Sequence, residues 1–210
     1  MNKFVFGLLL VIVNISNAKI VSGIGAQIGL NSTFQNWDYK TDDINFMDDI
    51  DLHYNAVLSV EMFRINYFNL FLSVSYLQKG GLDNDVIETN AFGQELGTVS
   101  VWTRLDYICI SPALRFNYNI NKFNPYLIIG PSFDLAVSKK ESFDQNISNQ
   151  FKEFEISLPF GVGCEYNIIN NINLNFNIQY QPSITNLFEN SNLTVKNNLF
   201  KYDFGILLSI

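Results

Sequence analysis

One histidine is the residue of this chain best suited to acid–base chemistry. His53 is the only histidine among the 210 residues. Hydrolytic sites commonly place a histidine beside a serine, an aspartate or a glutamate. In an extended strand the same-face neighbour of His53 is Asn55, not the serine that a lipid deacylase would need. We therefore expect a rim histidine bonded to a loop or to solvent, and we predict no catalytic residue and no enzyme.

Aspartates are concentrated in one segment near residue 40, and such a density could bind a hard cation through oxygen ligands. The spacing lacks the order of an EF-hand loop, so we interpret the segment as a solvated acidic loop and predict neither a metal site nor a cofactor. Cation-bridged contact with lipopolysaccharide phosphates remains an alternative. The six aspartates are Asp38, Asp42, Asp43, Asp48, Asp49 and Asp51.

Cysteines and tryptophans offer two further kinds of chemistry. Cys109 and Cys164 are an even pair, which an oxidising compartment could join. The strand phases place them on opposite faces, so no disulfide is predicted. Trp37 and Trp102 could form carbohydrate platforms, but belts of aromatic residues at a membrane interface explain them more simply.

The elements that position these residues begin after an export signal. Lys3, an apolar run over residues 4–13 and the small-residue ending at Ala18 predict a signal peptide over residues 1–18. The remaining residues, 19–210, form a single predicted domain. Without Lys3 that domain has 12 basic residues (13 minus 1) and 20 acidic ones. This acidic balance argues against a nucleic-acid partner.

Alternation of apolar and polar residues predicts an all-β chain. From Ile172 to Gln181 every second residue is apolar and the intervening ones are Asn or Gln, which is the period of a β-strand. Seven other segments show a similar alternation, and most have the 9–11 residues that a tilted strand needs to cross a bilayer. The eight predicted strands are Ile20–Leu30, Tyr54–Arg64, Leu70–Gln78, Ile108–Ile120, Leu127–Val137, Phe154–Tyr166, Ile172–Gln181 and Phe200–Ile210.

Connection lengths provide an independent signal, because long and short connections alternate along the chain. Short turns are predicted at Asn66–Asn69, Asn119–Asn124 and Asn167–Asn171. All long connections then fall on one rim, as in outer-membrane barrels with short periplasmic turns and long external loops. The predicted long loops are Asn31–Leu52, Gly80–Ser100, Lys139–Gln150 and Ser183–Asn197.

The apolar face must meet either lipid or an interior. A soluble lipocalin-like barrel would bury it, but five or six large side chains per strand would overfill the interior of eight strands. Gly23, Gly25 and Gly29 share a face with polar residues and suit a crowded lumen. We therefore expect lipid outside and a charged lumen in which Arg115 and Lys201 bridge carboxylates. The predicted lumen charges are Glu61, Arg115, Asp134, Glu153, Glu155, Glu165, Lys201 and Asp203.

Prolines interrupt three of these segments. Pro112, Pro131 and Pro159 each remove a ladder hydrogen bond and usually mark a bulge or a strand end, so the strand register near them stays open. Strand four could also begin as early as Trp102. In that case its first part would rise above the membrane as an extended hairpin.

Two stretches resemble the PorT-like outer-membrane β-barrel family of Bacteroidota-type proteins. They are Val74-Ser75-Tyr76-Leu77-Gln78-Lys79-Gly80-Gly81 and Tyr107-Ile108-Cys109-Ile110-Ser111-Pro112-Ala113-Leu114-Arg115-Phe116, and Asn124-Pro125-Tyr126 with Gly130-Pro131 is also similar. The resemblance covers about a third of the chain and implies a single outer-membrane barrel domain. The chain departs from the family at Cys109, where a carboxylate is common, and no functional residue is carried over.

The sequence therefore predicts an eight-stranded, antiparallel, up-and-down transmembrane barrel in the bacterial outer membrane. Our first hypothesis is a structural or interaction barrel whose external loops face a partner protein or lipopolysaccharide. The alternative is a narrow, cation-preferring pore, and family analogy adds a component of an export machine. Outer-membrane lipid, lipopolysaccharide and, during insertion, the barrel-assembly machinery are the expected partners of a monomer.

Overall fold

The fold is an antiparallel ring of strands in a computed structural model that describes residues 20–39, 47, 49–65, 67–142, 150–188 and 193–210. Residues 1–18 lie outside this part, so the signal peptide stays a prediction. Within it, no helix is long and apolar enough to cross a membrane. The strands are β1 Val21–Tyr39, β2 Asp51–Ile65, β3 Phe68–Thr89, β4 Glu95–Asn117, β5 Phe123–Ile129, β6 Ser132–Glu141, β7 Phe154–Ser157, β8 Phe160–Ile169, β9 Ile172–Pro182 and β10 Leu193–Ser209.

Pairing closes these ten segments into a ring of eight positions. Each of the first four strands pairs with the next, β8 pairs with β9 and β9 with β10, and β10 returns to β1. One position is shared by β5 and β6, which pair with successive parts of β4. The next is shared by β7 and β8. The predicted eight-stranded antiparallel barrel is therefore confirmed.

Two of the three prolines break strands. Pro131 separates β5 from β6 and Pro159 separates β7 from β8, because a proline cannot donate to the ladder. Pro112 causes no break and pairs with Leu72 of β3. It lies where β4 changes its pairing partner from β6 to β5. Each of the three prolines therefore lies at or beside an interruption in the strands β4 to β8.

The predicted lengths of several connections are wrong, although their order around the rims is right. The three short turns lie together at one rim, after β2, β4 and β8. At the other rim β1 continues through the predicted loop to Tyr39, and β3 and β4 reach 22 and 23 residues. Crossing a bilayer takes about 9–11 residues, so β3 and β4 extend well beyond it as a hairpin.

The two faces of the ring have opposite character through the membrane. The polar face of β9 (Asn173, Asn175, Asn177, Gln179 and Gln181) is buried, while outward residues such as Ile28, Leu58 and Phe204 are more than half exposed. Lipid would cover these outward side chains, and closure leaves no unpaired backbone within it. The polar face therefore lines the lumen.

Candidate functional site

The external half of the lumen holds a buried ionic cluster, which we call the external ionic cluster: Lys79, Asp134 and Glu155. The Lys79 Nζ atom lies 2.6 Å from Asp134 Oδ2 and 3.0 Å from Glu155 Oε1. Asn197 donates to Glu155 at 3.0 Å and Ser157 to Asp134 at 2.8 Å. All three charged side chains are at most 1% exposed. Pairing and hydrogen bonds of this kind are what buried charges require.

A second cluster lies near the periplasmic turns, and we call it the periplasmic ionic cluster: Glu61, Arg64, Arg115 and Glu165. Arg115 pairs with Glu165, and its guanidinium carbon lies 4.0 Å from the ring centre of Tyr126. Arg64 lies 3.5 Å from Glu61 and 3.9 Å from Glu165. The space between the two clusters is a cavity of about 50 Å³ lined by both polar and apolar side chains, which is room for only a few water molecules.

Above the external ionic cluster the lumen is filled by apolar side chains, which we call the apolar plug. Trp37 packs edge-on against Phe151 at a centroid distance of 6.0 Å and also contacts Phe188. The plug joins strand extensions to loop residues and closes the external end of the described barrel. Its members are Trp37, Met47, Leu77, Val101, Leu105, Tyr107, Cys109, Phe151, Leu187, Phe188, Leu193, Val195 and Leu199.

The predicted lumen charges are mostly in place. Arg115 does bridge to a carboxylate, and Lys201 lies 3.2 Å from Asp203. The assignment of Glu153 to the lumen is wrong, because it is exposed on a bend before β7. The principal cation of the external ionic cluster, Lys79, was missed because we ended strand three at Gln78. Ser75, Leu77 and Lys79 are alternate residues of one strand, so extending the predicted strand by one residue would have placed Lys79 on the lumen face.

Other residues singled out in the sequence lie apart from one another. The aromatic-belt interpretation of Trp37 is wrong, because this residue is buried in the apolar plug, whereas Trp102 is partly exposed. Cys109 faces the lumen and Cys164 the outside, and both are free. His53 lies at the external rim, 3.1 Å from Asp51, and within the described residues it has no hydrogen bond to a hydroxyl nucleophile.

The predicted acidic loop is only partly described. Asp42, Asp43 and Asp48 lie outside the described residues. Asp49 accepts bonds from the backbone and side chain of Asn84 at 3.1 and 2.9 Å, and it therefore ties this segment to β3. In the described ranges, no group of three or more His, Cys, Asp or Glu side chains could hold a metal ion.

The upper β3–β4 hairpin is the most exposed part of the described chain, and we call residues 83–101 the external hairpin. Residues 91–100 are all exposed. At its tip the Asn90 side-chain oxygen accepts from the backbone of Phe92 at 2.9 Å and of Gln94 at 3.0 Å. Gly93 adopts a positive φ of 76°, which favours glycine. These bonds define the turn and present Phe92 to solvent.

The composition of the external hairpin is apolar and acidic. Phe92 is 90% exposed, Leu96 62% and Ile87 57%. Asp83, Asp85, Glu88 and Glu95 are its charged residues, and no Lys or Arg lies between Lys79 and Arg104. Within the described part of the chain, residues 83–89 and 95–101 pair only with each other. Among the described residues, therefore, no further strand pairs with either edge of the hairpin, and its apolar side chains are exposed.

A family model described as "Outer membrane protein beta-barrel domain" matches residues 16–189. The chain belongs to this family of bacterial outer-membrane barrels, and the outer membrane is its location.

Solved structures share the fold at low sequence identity. The chain is similar to Neisserial surface protein A, with 13% identity, a TM-score of 0.51 and coverage of 91% of this chain and 100% of that one. Ail, the attachment invasion locus protein of Yersinia pestis, has 14% identity and a TM-score of 0.42 over 89% of this chain and 99% of its own, and it was solved with a heparin analogue. A search of curated proteins found no match.

Proposed function

We propose that this barrel is a surface-interaction protein whose external hairpin binds a partner protein outside the membrane. The observation that carries the proposal is the exposure of Phe92, Leu96 and Ile87 on a hairpin whose edges have no further strand partner among the described residues. Exposed edges are templates for added strands, and contiguous exposed apolar residues mark interaction sites. The four acidic residues favour a partner with a basic surface.

The filled lumen supports the same proposal. Two buried ionic clusters and the apolar plug leave little space inside the barrel. A chain without an open lumen acts through its outer surfaces, and we propose that it is not an enzyme. The narrow cation-preferring pore remains the alternative, favoured by the acidic lumen. Membership of the PorT-like group within the wider family is likewise a proposal.

Site-specific crosslinking in intact cells tests the partner. A photoreactive residue at position 92 is compared with one at Tyr118, an aromatic that is 66% exposed at the periplasmic rim. We expect a discrete protein adduct at position 92, no adduct of that mass at position 118, and loss of the first in the variant E88K/E95K. Charge reversal should act because it repels a basic partner.

The control is the barrel with residues 84–100 replaced by an Asn-Gly turn. It should still show heat-modifiable migration in a gel, because the deleted segment lies above the barrel and most of it is exposed, with Val86 packing against the apolar plug. The proposal is overturned if position 92 forms no adduct, or if the adduct persists in the charge-reversed variant at the level of the unchanged protein.

A further inference from the structure

An open groove of about 600 Å³ runs along β7 on the external side of the barrel, apart from the external hairpin. Its walls come from β7, from the residues just before it and from the segment after β9, where Ile184 donates to Ile156 at 2.8 Å. One end of the groove is lined by Lys139 and Lys152, and the other by Phe154 and Ile156. Phe151, Thr185 and Asn186 complete the lining. We call the part beside the two lysines the polar end and the part beside Phe154 and Ile156 the apolar end.

The polar end carries positive charge in a chain whose net charge is −7. Lys139 donates to the Phe151 carbonyl oxygen at 2.5 Å, and this bond holds its ammonium group at the groove. An ammonium group has three donors, so two remain for a ligand. Lys152 is exposed. Two lysines against one lining acid, Glu153, leave this end with a charge of +1.

The apolar end belongs to the lipid-facing surface. Phe154 is 49% exposed and stacks on Phe133, with ring centres 6.5 Å apart and an angle of 15° between the planes. In the β6–β7 pairing Leu135 lies opposite Phe154, and Phe133 lies opposite Ile156. Leu135 and Phe133 are both exposed, so these four side chains form one outward apolar surface below the lysines.

A second pair of cations lies on the other face of the same strands. Arg104 of β4 lies directly opposite Lys140 of β6, and Lys140 is exposed beside Lys139. Arg104 also lies 4.0 Å from Asp106, which offsets part of its charge. Lys139 pairs with Leu105 and therefore lies on the opposite face of β6 from Lys140, so Arg104 and Lys140 do not line the groove.

We propose that this groove binds a phosphate-bearing lipid of the outer leaflet. The phosphate contacts Lys139 and Lys152, and one acyl chain lies along Phe154 and Ile156. Basic pockets at a membrane surface attract anionic headgroups, and each nearby lysine strengthens that attraction. The lysines lie on the external side of Phe154 and Ile156, just as a lipid headgroup lies on the external side of its acyl chains in the outer leaflet. This site is independent of the external hairpin.

Native mass spectrometry of the folded barrel with lipid A tests the site. The probes are diphosphorylated lipid A and the same lipid without phosphates. We expect the phosphorylated form to bind more tightly and the variant K139Q/K152Q to lose about 30-fold of that affinity. K152Q alone keeps the Lys139–Phe151 bond and should lose about fivefold. The matched control K122Q/K196Q removes two exposed lysines elsewhere and should bind as the unchanged protein does.

Three results would overturn the proposal. Equal binding of the two lipids would show that phosphate is not recognised, and an equal loss in K122Q/K196Q would show only a general charge effect. Displacement of the lipid by excess inorganic phosphate would indicate a site for free phosphate instead of a lipid. Heat-modifiable migration of every variant confirms that it is folded before binding is measured.

Discussion

Lys79 of β3 places its ammonium nitrogen 2.6 Å from the Asp134 carboxylate of β6, although β4 lies between these two strands in the sheet. The same nitrogen lies 3.0 Å from Glu155 of β7. One buried cation thus connects three strands through the lumen. The cluster contains two carboxylates and one ammonium group. The neighbouring amide and hydroxyl groups therefore donate the hydrogen bonds that the carboxylates still need.

Replacing this lysine should strongly destabilise the barrel. In K79M the Asp134 and Glu155 carboxylates lose their buried partner, and breaking a buried pair in this way typically costs about 3–5 kcal/mol. The measurement is the free energy of unfolding in urea, followed by tryptophan fluorescence of the barrel in lipid vesicles.

Two further variants define the cause of that loss. K140M changes an exposed lysine of β6 and should alter stability by no more than about 0.5 kcal/mol. The triple variant K79M/D134N/E155Q should recover part of the loss, because it removes the uncompensated charges. An unchanged free energy of unfolding in K79M would contradict the ionic cluster.

The two cysteines should differ in their reaction with a maleimide, because their side chains lie on opposite faces of the barrel wall. Cys164 is half-buried on the outward face, and Cys109 is 1% exposed in the lumen. A small lipid-soluble maleimide should label the folded protein in vesicles once and the denatured protein twice. C164S should abolish labelling of the folded state, whereas C109S should leave it intact. Labelling of Cys109 in the folded barrel would show that the lumen is open.

The sequence predicted the membrane part of each strand well because lipid imposes one simple pattern there. Outward residues such as Ile108 and Phe204 must be apolar over the whole bilayer, so alternation is strong. Above the bilayer that constraint ends, and the pattern reverses. There Leu105, Val195 and Leu199 point inward into the apolar plug, and the outward residues face water.

This reversal explains why the extensions of the strands were assigned to loops. Residues 31–39 and 82–89 contain many polar residues, as loops do, but in β1 and β3 they are held by pairing with β10 and β4. The β10 partner of β1 is distant in sequence, and the β4 partner of β3 lies in the same predicted loop. The basic groove was missed for a related reason, because Lys139 belongs to β6 and Lys152 to the segment before β7, and only the folded chain brings both to one groove.

A close approach of strands at Gly130 should make that position intolerant of a side chain. A Cβ atom there would lie 2.6 Å from the Cα atom of Ala113 and 2.9 Å from its Cβ atom. G130A should therefore push β5 away from β4 and cost about 1–3 kcal/mol of unfolding free energy.

The control for that change is G93A at the hairpin tip, where a Cβ atom would meet nothing within 4 Å. Its positive φ of 76° strains the turn, but this turn lies outside the barrel and should not shift the unfolding midpoint. Equal stability of G130A and the unchanged protein would show that β4 and β5 are farther apart than described.

Conductance in a planar bilayer tests the closed lumen most directly. The folded barrel, with insertion verified by heat-modifiable migration, is added to a membrane under voltage in potassium chloride. With the apolar plug and both ionic clusters in place, we predict no steady current above the bare membrane. A steady, cation-selective conductance would contradict the closed lumen and favour the pore over the surface-interaction barrel.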